Sequence, residues 1–314
     1  MILWRTFAKI IGRIALVGGL LAQPALASTV DAEFEHLAEQ IWQYRLQQSP
    51  LSAGYYGVEV NPAGMPDISS TALTAEYQAT KKQLEALGAL ELNKLNGQNQ
   101  INLAVLQHRL QDVADNFRFN GHQIPITAEG GFHTSLGFLP GTTQFDEVQD
   151  FSNYLSRLKQ FSAYFEQQIN WMRQGLEAGN SQPKVVLQGF EQSIDGYLVS
   201  DVTKNPFYRP FQNQYDFVDE AEWRQLQAEA KSVIAQAVMP AYQSFRDFMT
   251  DEYIPNARTS IGVSETPNGL AFYANRAKHY TTTDLSPKEI HELGLREVKR
   301  IREAMAKIIE EVEF

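Results

Sequence analysis

The sequence predicts an all-α protein, a large irregular helical array. Apolar residues recur at three- and four-residue steps through most of the chain, no alternating run of useful strand length occurs, and a 43% hydrophobic content lets 314 residues bury a sizeable core. No internal repeat or low-complexity tract interrupts the pattern.

The first segment reads as an address rather than as part of the fold. Arg5, Lys9 and Arg13 precede a short apolar run from Ile14 to Ala22, and Ala25 and Ala27 occupy the small-residue positions of a cleavage site. The run is short of the roughly 20 residues that span a bilayer, so no stable membrane anchor is expected. The expectation is a signal peptide at 1–27 and an exported, periplasmic chain over 28–314, starting at Ser28.

The helices then follow in order. Phe34, Leu37, Ile41 and Tyr44 define one face of a helix over Asp31–Gln48, which stops before Pro50 because proline disfavours helix at the residue before it. A second helix is expected over 71–90 and a third over 98–117. The third aligns Ile101, Val105, His108 and Asp112 on a half-apolar face, with His108 packed or at the solvent edge. A fourth helix carries the strongest pattern: Phe151, Tyr154, Leu158, Phe161, Phe165, Ile169 and Met172 form a continuous stripe that reads as core, not as a cofactor cradle. Further helices are expected over 184–199, over 221–253 with a kink at Pro240, over 269–280, and from Ser286 onward.

Two interruptions carry the candidate chemistry. The glycine-rich segment 120–145 is too long for an ordinary connection, and Phe132, Leu136, Phe138 and Leu139 argue that it folds back over the helices and lines a cleft. Its His122, Glu129 and His133 have no common helical register that would converge on a metal, because Gly130 and Gly131 intervene. The second interruption ends in a short helix where Tyr273, Arg276, His279 and Tyr280 crowd together and run into Thr281, Thr282 and Thr283. Such a bunch of aromatics and hydroxyls can grip a peptide or a sugar, or its members can cap one another. His133, Tyr273, His279, Thr281, Thr282 and Thr283 are the candidate substrate-contacting residues.

Ser286 opens the last helix as an N-cap, with Pro287 at the first helical position and Glu289 completing a capping box. His291 and Glu292 then stand side by side, as in a zinc peptidase helix. That motif needs a second histidine four residues on, and the position holds Leu295. His291 shares a stripe with Leu295, Val298, Ile301, Met305, Ile308 and Val312, so it is expected to face inward as a buried, hydrogen-bonded histidine. No residue is assigned as catalytic or as a metal ligand, and no cofactor is expected in this chain.

A net charge of −10 with no basic run outside the extreme N-terminus disfavours nucleic acid as a partner. Zero cysteines exclude disulfides, thiolate metal sites, a cysteine nucleophile and a lipid-modified cysteine.

Several segments together, "EQIWQYRLQQSPLSAGYYGV", "NPFYRPF", "EYIPNARTSIGV" and "GLAFYANRAKHYTTTDLSPKEIHELGLREVKRIREAM", resemble the exported bacterial family called domain of unknown function 885, in order from Glu33 to Phe314. The resemblance implies a mostly helical protein about twice this length, similar to zinc metallopeptidases. Its second half carries a His-Glu-x-x-Pro-Gly-His segment and a Glu-Gly-Trp-Ala segment. Neither string occurs here, and the final "IIEEVEF" has no helix terminator. The expectation is the N-terminal half of a metallopeptidase-like hydrolase: the substrate-side wall of a cleft, inactive alone, with a peptide substrate and the missing C-terminal half as partners and zinc belonging to the whole protein. The competing reading is a non-enzymatic periplasmic helical module for binding or scaffolding, which would show no large apolar surface.

Overall fold

A computed structural model describes residues 29–58 and 60–312; the expected signal peptide lies outside the described residues. The architecture is an irregular all-α array, and its only extended pairing among those residues is an isolated bridge between Ile126 and Gly131.

Two apolar clusters organise the array. The smaller is built by α1 (Thr29–Gln48), α3 (Ser70–Gly88) and α4 (Gly97–Arg118) around Phe34, Ile41, Leu87, Leu95, Leu103 and Leu110. Buried Asp31 ties this cluster together: its Oδ1 accepts from the Asn96 backbone N–H at 3.0 Å and from the side-chain amides of Asn96 and Asn99 at 2.9 Å each. The face of α4 that packs inward carries Leu103, Leu110 and Ala114, which leaves Ile101 and Val105 exposed on its other side.

The larger cluster is centred on the aromatic stripe. Every member from Phe151 to Met172 is buried, as the spacing predicts. The stripe is carried by two helices, α7 (Val148–Lys159) and α8 (Phe161–Glu177), rather than by one, with the break at Gln160. Tertiary bonds accompany the break. The Gln160 amide donates to Ala63 O at 2.7 Å and its Oε1 accepts from Met65 N–H at 3.3 Å, while buried Arg157 donates to Gly64 O and to Pro50 O, at the start of α2 (Pro50–Tyr55). The Trp171 indole adds a 2.7 Å bond to Ile68 O. A strap over 61–68 thus lashes the small cluster to the large one.

The helix expected over 184–199 is a different object. It consists of a short 3₁₀ turn at Lys184–Leu187 and a single turn, α9 (Gln192–Asp195), because Gly189 sits at φ +74° between them, outside the right-handed helical region. The long helix expected over 221–253 does form: α10 (Glu220–Val233), α11 (Met239–Asp247) and α12 (Ile254–Asn256) run end to end, joined by π-helical stretches at Ile234–Val238 and Phe248–Tyr253. Each stretch leads into a proline, Pro240 or Pro255, whose ring has no N–H to give to the preceding turn. One of these wide turns falls at Pro240, where a kink is expected, and the other at Pro255.

Candidate functional site

The glycine-rich segment folds back as its apolar residues require. The short helices α5 (Phe132–Leu136) and α6 (Leu139–Thr142) bury Phe132, Leu136 and Leu139 in the large cluster, whereas Phe138 stays in solvent. Gly131 is needed there for close approach, since a Cβ would lie 2.6 Å from Pro125 O.

His133 is fully buried, with its ring 5.0 Å from Phe245 and 5.3 Å from Phe190. The Ser193 hydroxyl donates to Phe190 O at 2.7 Å, so the 2.8 Å contact between His133 Nε2 and Ser193 Oγ has the imidazole as donor. That tautomer leaves Nδ1 as a buried acceptor with no partner. Desolvation lowers the imidazole pKa to about 4, and the side chain has no open face toward solvent. His122 lies elsewhere, wedged between Phe117 and Trp171, and burial lowers its pKa too.

The other candidates sit on α13 (Gly269–Thr281) and just beyond its end, on a different element from His133. The three threonines satisfy one another and the local backbone. Thr281 Oγ1 donates to Ala277 O at 2.8 Å and lies 2.9 Å from Thr283 Oγ1, and Thr282, in the left-handed region at φ +53°, donates to Thr281 O. Tyr273 is exposed. His279 stacks on His108 of α4, ring centroids 4.4 Å apart and 9° from parallel, with its Nδ1 3.7 Å from Asp112 Oδ1. Arg276 Nη1 donates to the same Asp112 oxygen at 2.6 Å, and Asn275 donates to Asp115 Oδ2 at 2.7 Å. Spacing could not have found this arrangement, because Arg276 and Asp112 are 164 positions apart.

Zinc has no fitting site among the described residues: no three His, Cys, Asp or Glu side chains are placed to hold a metal ion. The stacked pair of His108 and His279 beside Asp112 does not form one, because the in-plane lone pairs of near-parallel rings lie in separate planes and do not meet at one point.

The last helix, α14 (Pro287–Glu311), begins with the expected capping box. Ser286 Oγ accepts from Glu289 N–H at 3.2 Å, and a Glu289 carboxylate oxygen accepts from Ser286 N–H at 2.7 Å. The inward face expected for it is not found. His291 is exposed, as are Leu295, Val298, Ile301, Met305, Ile308 and Val312, and no residue of α14 is buried. Periodicity identified the stripe correctly, but no element of the described structure covers it.

The profile for "Bacterial protein of unknown function (DUF885)" matches residues 50–314. The chain belongs to this family. Two solved structures share the fold of this family 885 chain. One is of a protein described as a "putative lipoprotein" from Colwellia psychrerythraea, at 21% identity and a TM-score of 0.70, covering 90% of this chain and 51% of that one. The other is of a "putative lipoprotein of unknown function" from Shewanella oneidensis, at 15% identity and a TM-score of 0.59, covering 91% and 48%. The chain therefore spans about half the length of these solved structures. Comparison with curated proteins gives no match. Among the described residues no helix is long and apolar enough to cross a membrane.

Proposed function

We propose that this family 885 chain is one half of an exported hydrolase of the zinc-metallopeptidase kind, forming the helical wall beside the substrate, and that α14 is the face on which the other half docks. The exposed stripe carries the reading. At 100° per residue, His291 through Val312 spread over an arc of roughly 140°, wider than the seam of a two-stranded coiled coil and suited to a multi-helix body. The charged pairs of the same helix, Lys288–Glu292, Arg300–Glu297 and Lys299–Glu303, lie largely outside that arc. A self-sufficient binding module would leave no such surface bare. The half-length match to the solved relatives supports the same conclusion, and the two proteins described as lipoproteins support export.

No step of hydrolysis is assigned to residues of this chain. The test is to express the gene through and beyond the Phe314 codon. The expected product contains the His-Glu-x-x-Pro-Gly-His segment, binds one zinc per chain and cleaves peptides, while the 314-residue chain does neither. A 314-residue chain that binds stoichiometric zinc and hydrolyses a peptide overturns the proposal, as does a reading frame with no second half. Mass spectrometry of the exported form is expected to find Ser28 at the N-terminus; intact Met1 would refute cleavage.

A further inference from the structure

A cleft of about 320 Å³ opens where α3, α4, the turn at 121–123 and α13 meet, lined among others by Glu76, Tyr77, Asp112, Asn116, His122 and Arg276. Its contents are unbalanced in hydrogen-bonding terms. The Arg276 guanidinium is committed to its neighbours through three of its five N–H groups: Nη1 donates to Asp112 Oδ1, while Nε and Nη2 both donate to Asn275 Oδ1, at 3.0 and 2.6 Å. Asn275, Arg118 and Gln111 engage Asp115. His122 is kept neutral at ordinary pH by burial, and its enclosed Nδ1 has no partner. Acceptors remain. Glu76 has neither an ion-pair nor a hydrogen-bond partner among the described residues, and Asp112 Oδ2 accepts no hydrogen bond. The lining therefore holds two carboxylates against one committed cation.

We propose that this cleft binds a primary ammonium group, with Glu76 and the free oxygen of Asp112 as its acceptors. Three N–H donors on one nitrogen match an acceptor-rich, net-negative cleft, and a carboxylate or phosphate would meet two like charges there. The ion pair between Arg276 and Asp112 fixes α13 against α4, so the cleft is formed before a ligand arrives. Its volume lies at the small end of ligand sites, which suits the end of a chain or a short alkylamine rather than a large molecule. The inference stands on the cleft alone, so failure of the hydrolase reading leaves it untouched.

Calorimetric titration of the full chain with Ala-Ala-amide, N-acetyl-Ala-Ala-amide and putrescine tests it. The expected result is binding of Ala-Ala-amide, none of the acetylated form, and a weakening of about tenfold or more in Glu76→Gln, whose circular dichroism is unchanged. Putrescine binding as well as the peptide would support the ammonium site and point to free amines as its source; peptide binding alone points to an N-terminus. No binding of either amine at about 10 mM, equal binding of the acetylated peptide, or undiminished binding by Glu76→Gln each overturns the proposal.

Discussion

Helices α7 and α8 on one side, and α14 on the other, carry apolar stripes of the same helical spacing, yet the first is sealed and the second lies bare. Phe165 shows what sealing means: its ring meets Tyr242 at 4.8 Å and Phe132 at 5.1 Å, and both residues arrive from distant parts of the chain. Ile301, on a stripe with the same spacing, has solvent where those rings would be. An amphipathic pattern states that a face requires cover. It does not say whether the cover is on hand.

The largest expected effect lies in the sealed region. Phe165→Ala should cost about 4 kcal/mol, by loss of buried area plus the cavity left behind. A urea midpoint moved by less than a quarter of that would mean the aromatic cluster is loosely packed, and the contrast with α14 would weaken. Next comes acid. His133 has a folded pKa near 4 and an unfolded one near 6.5, so between those values the unfolded chain takes up a proton that the folded chain refuses. Stability is therefore constant above that window and falls as pH drops through it, by at most about 3 kcal/mol. His133→Gln should flatten this dependence in chemical denaturation followed from pH 7 to pH 4; a slope that persists in the variant would place the acid sensitivity elsewhere.

On the bare side the effects shrink and become local. Ser286→Ala removes an N-cap worth about 1 kcal/mol. Because α14 lies against little else, the loss should appear as faster amide hydrogen exchange in its first turns, and unchanged exchange there would mean that the capping box is not formed in solution. The smallest effect is expected for Ile301→Ser, within about 0.5 kcal/mol in the isolated chain. Should that substitution instead cost as much as a core change, α14 is covered in solution and the comparison collapses.

Legibility from sequence follows the range of the forces involved. Caps, proline stops and aromatic periodicity act within a few residues, so α1, α4, α13 and the Ser286 capping box were readable, as was the buried stripe of α7 and α8. The break at Gln160 was not, because the bonds beside it reach back to Ala63 and Met65. Gly189 was visible, but its left-handed conformation could not be told from an ordinary helical glycine. Among candidate site residues, the threonines were found together in the mutual-capping arrangement that had been one of two options. His133 looked like a loop residue near a cleft because nothing local reveals that the loop dives into the core. Glu76, Asp112 and Arg276 come from three separate helices, and a single sequence gives no means of pairing them.

The strap over 61–68 bears on the order in which parts of the chain can fold as it emerges across a membrane. Its bonds join residues about a hundred positions apart: Met65 to Gln160, Ile68 to Trp171, and Arg157 to Gly64 and Pro50. With its N-terminus first, the strap waits for about a hundred further residues before its partners emerge. During that interval α1, α3 and α4 can already close on one another through nearer contacts, so the small cluster is expected to assemble first. The strap fastens only when the second cluster emerges.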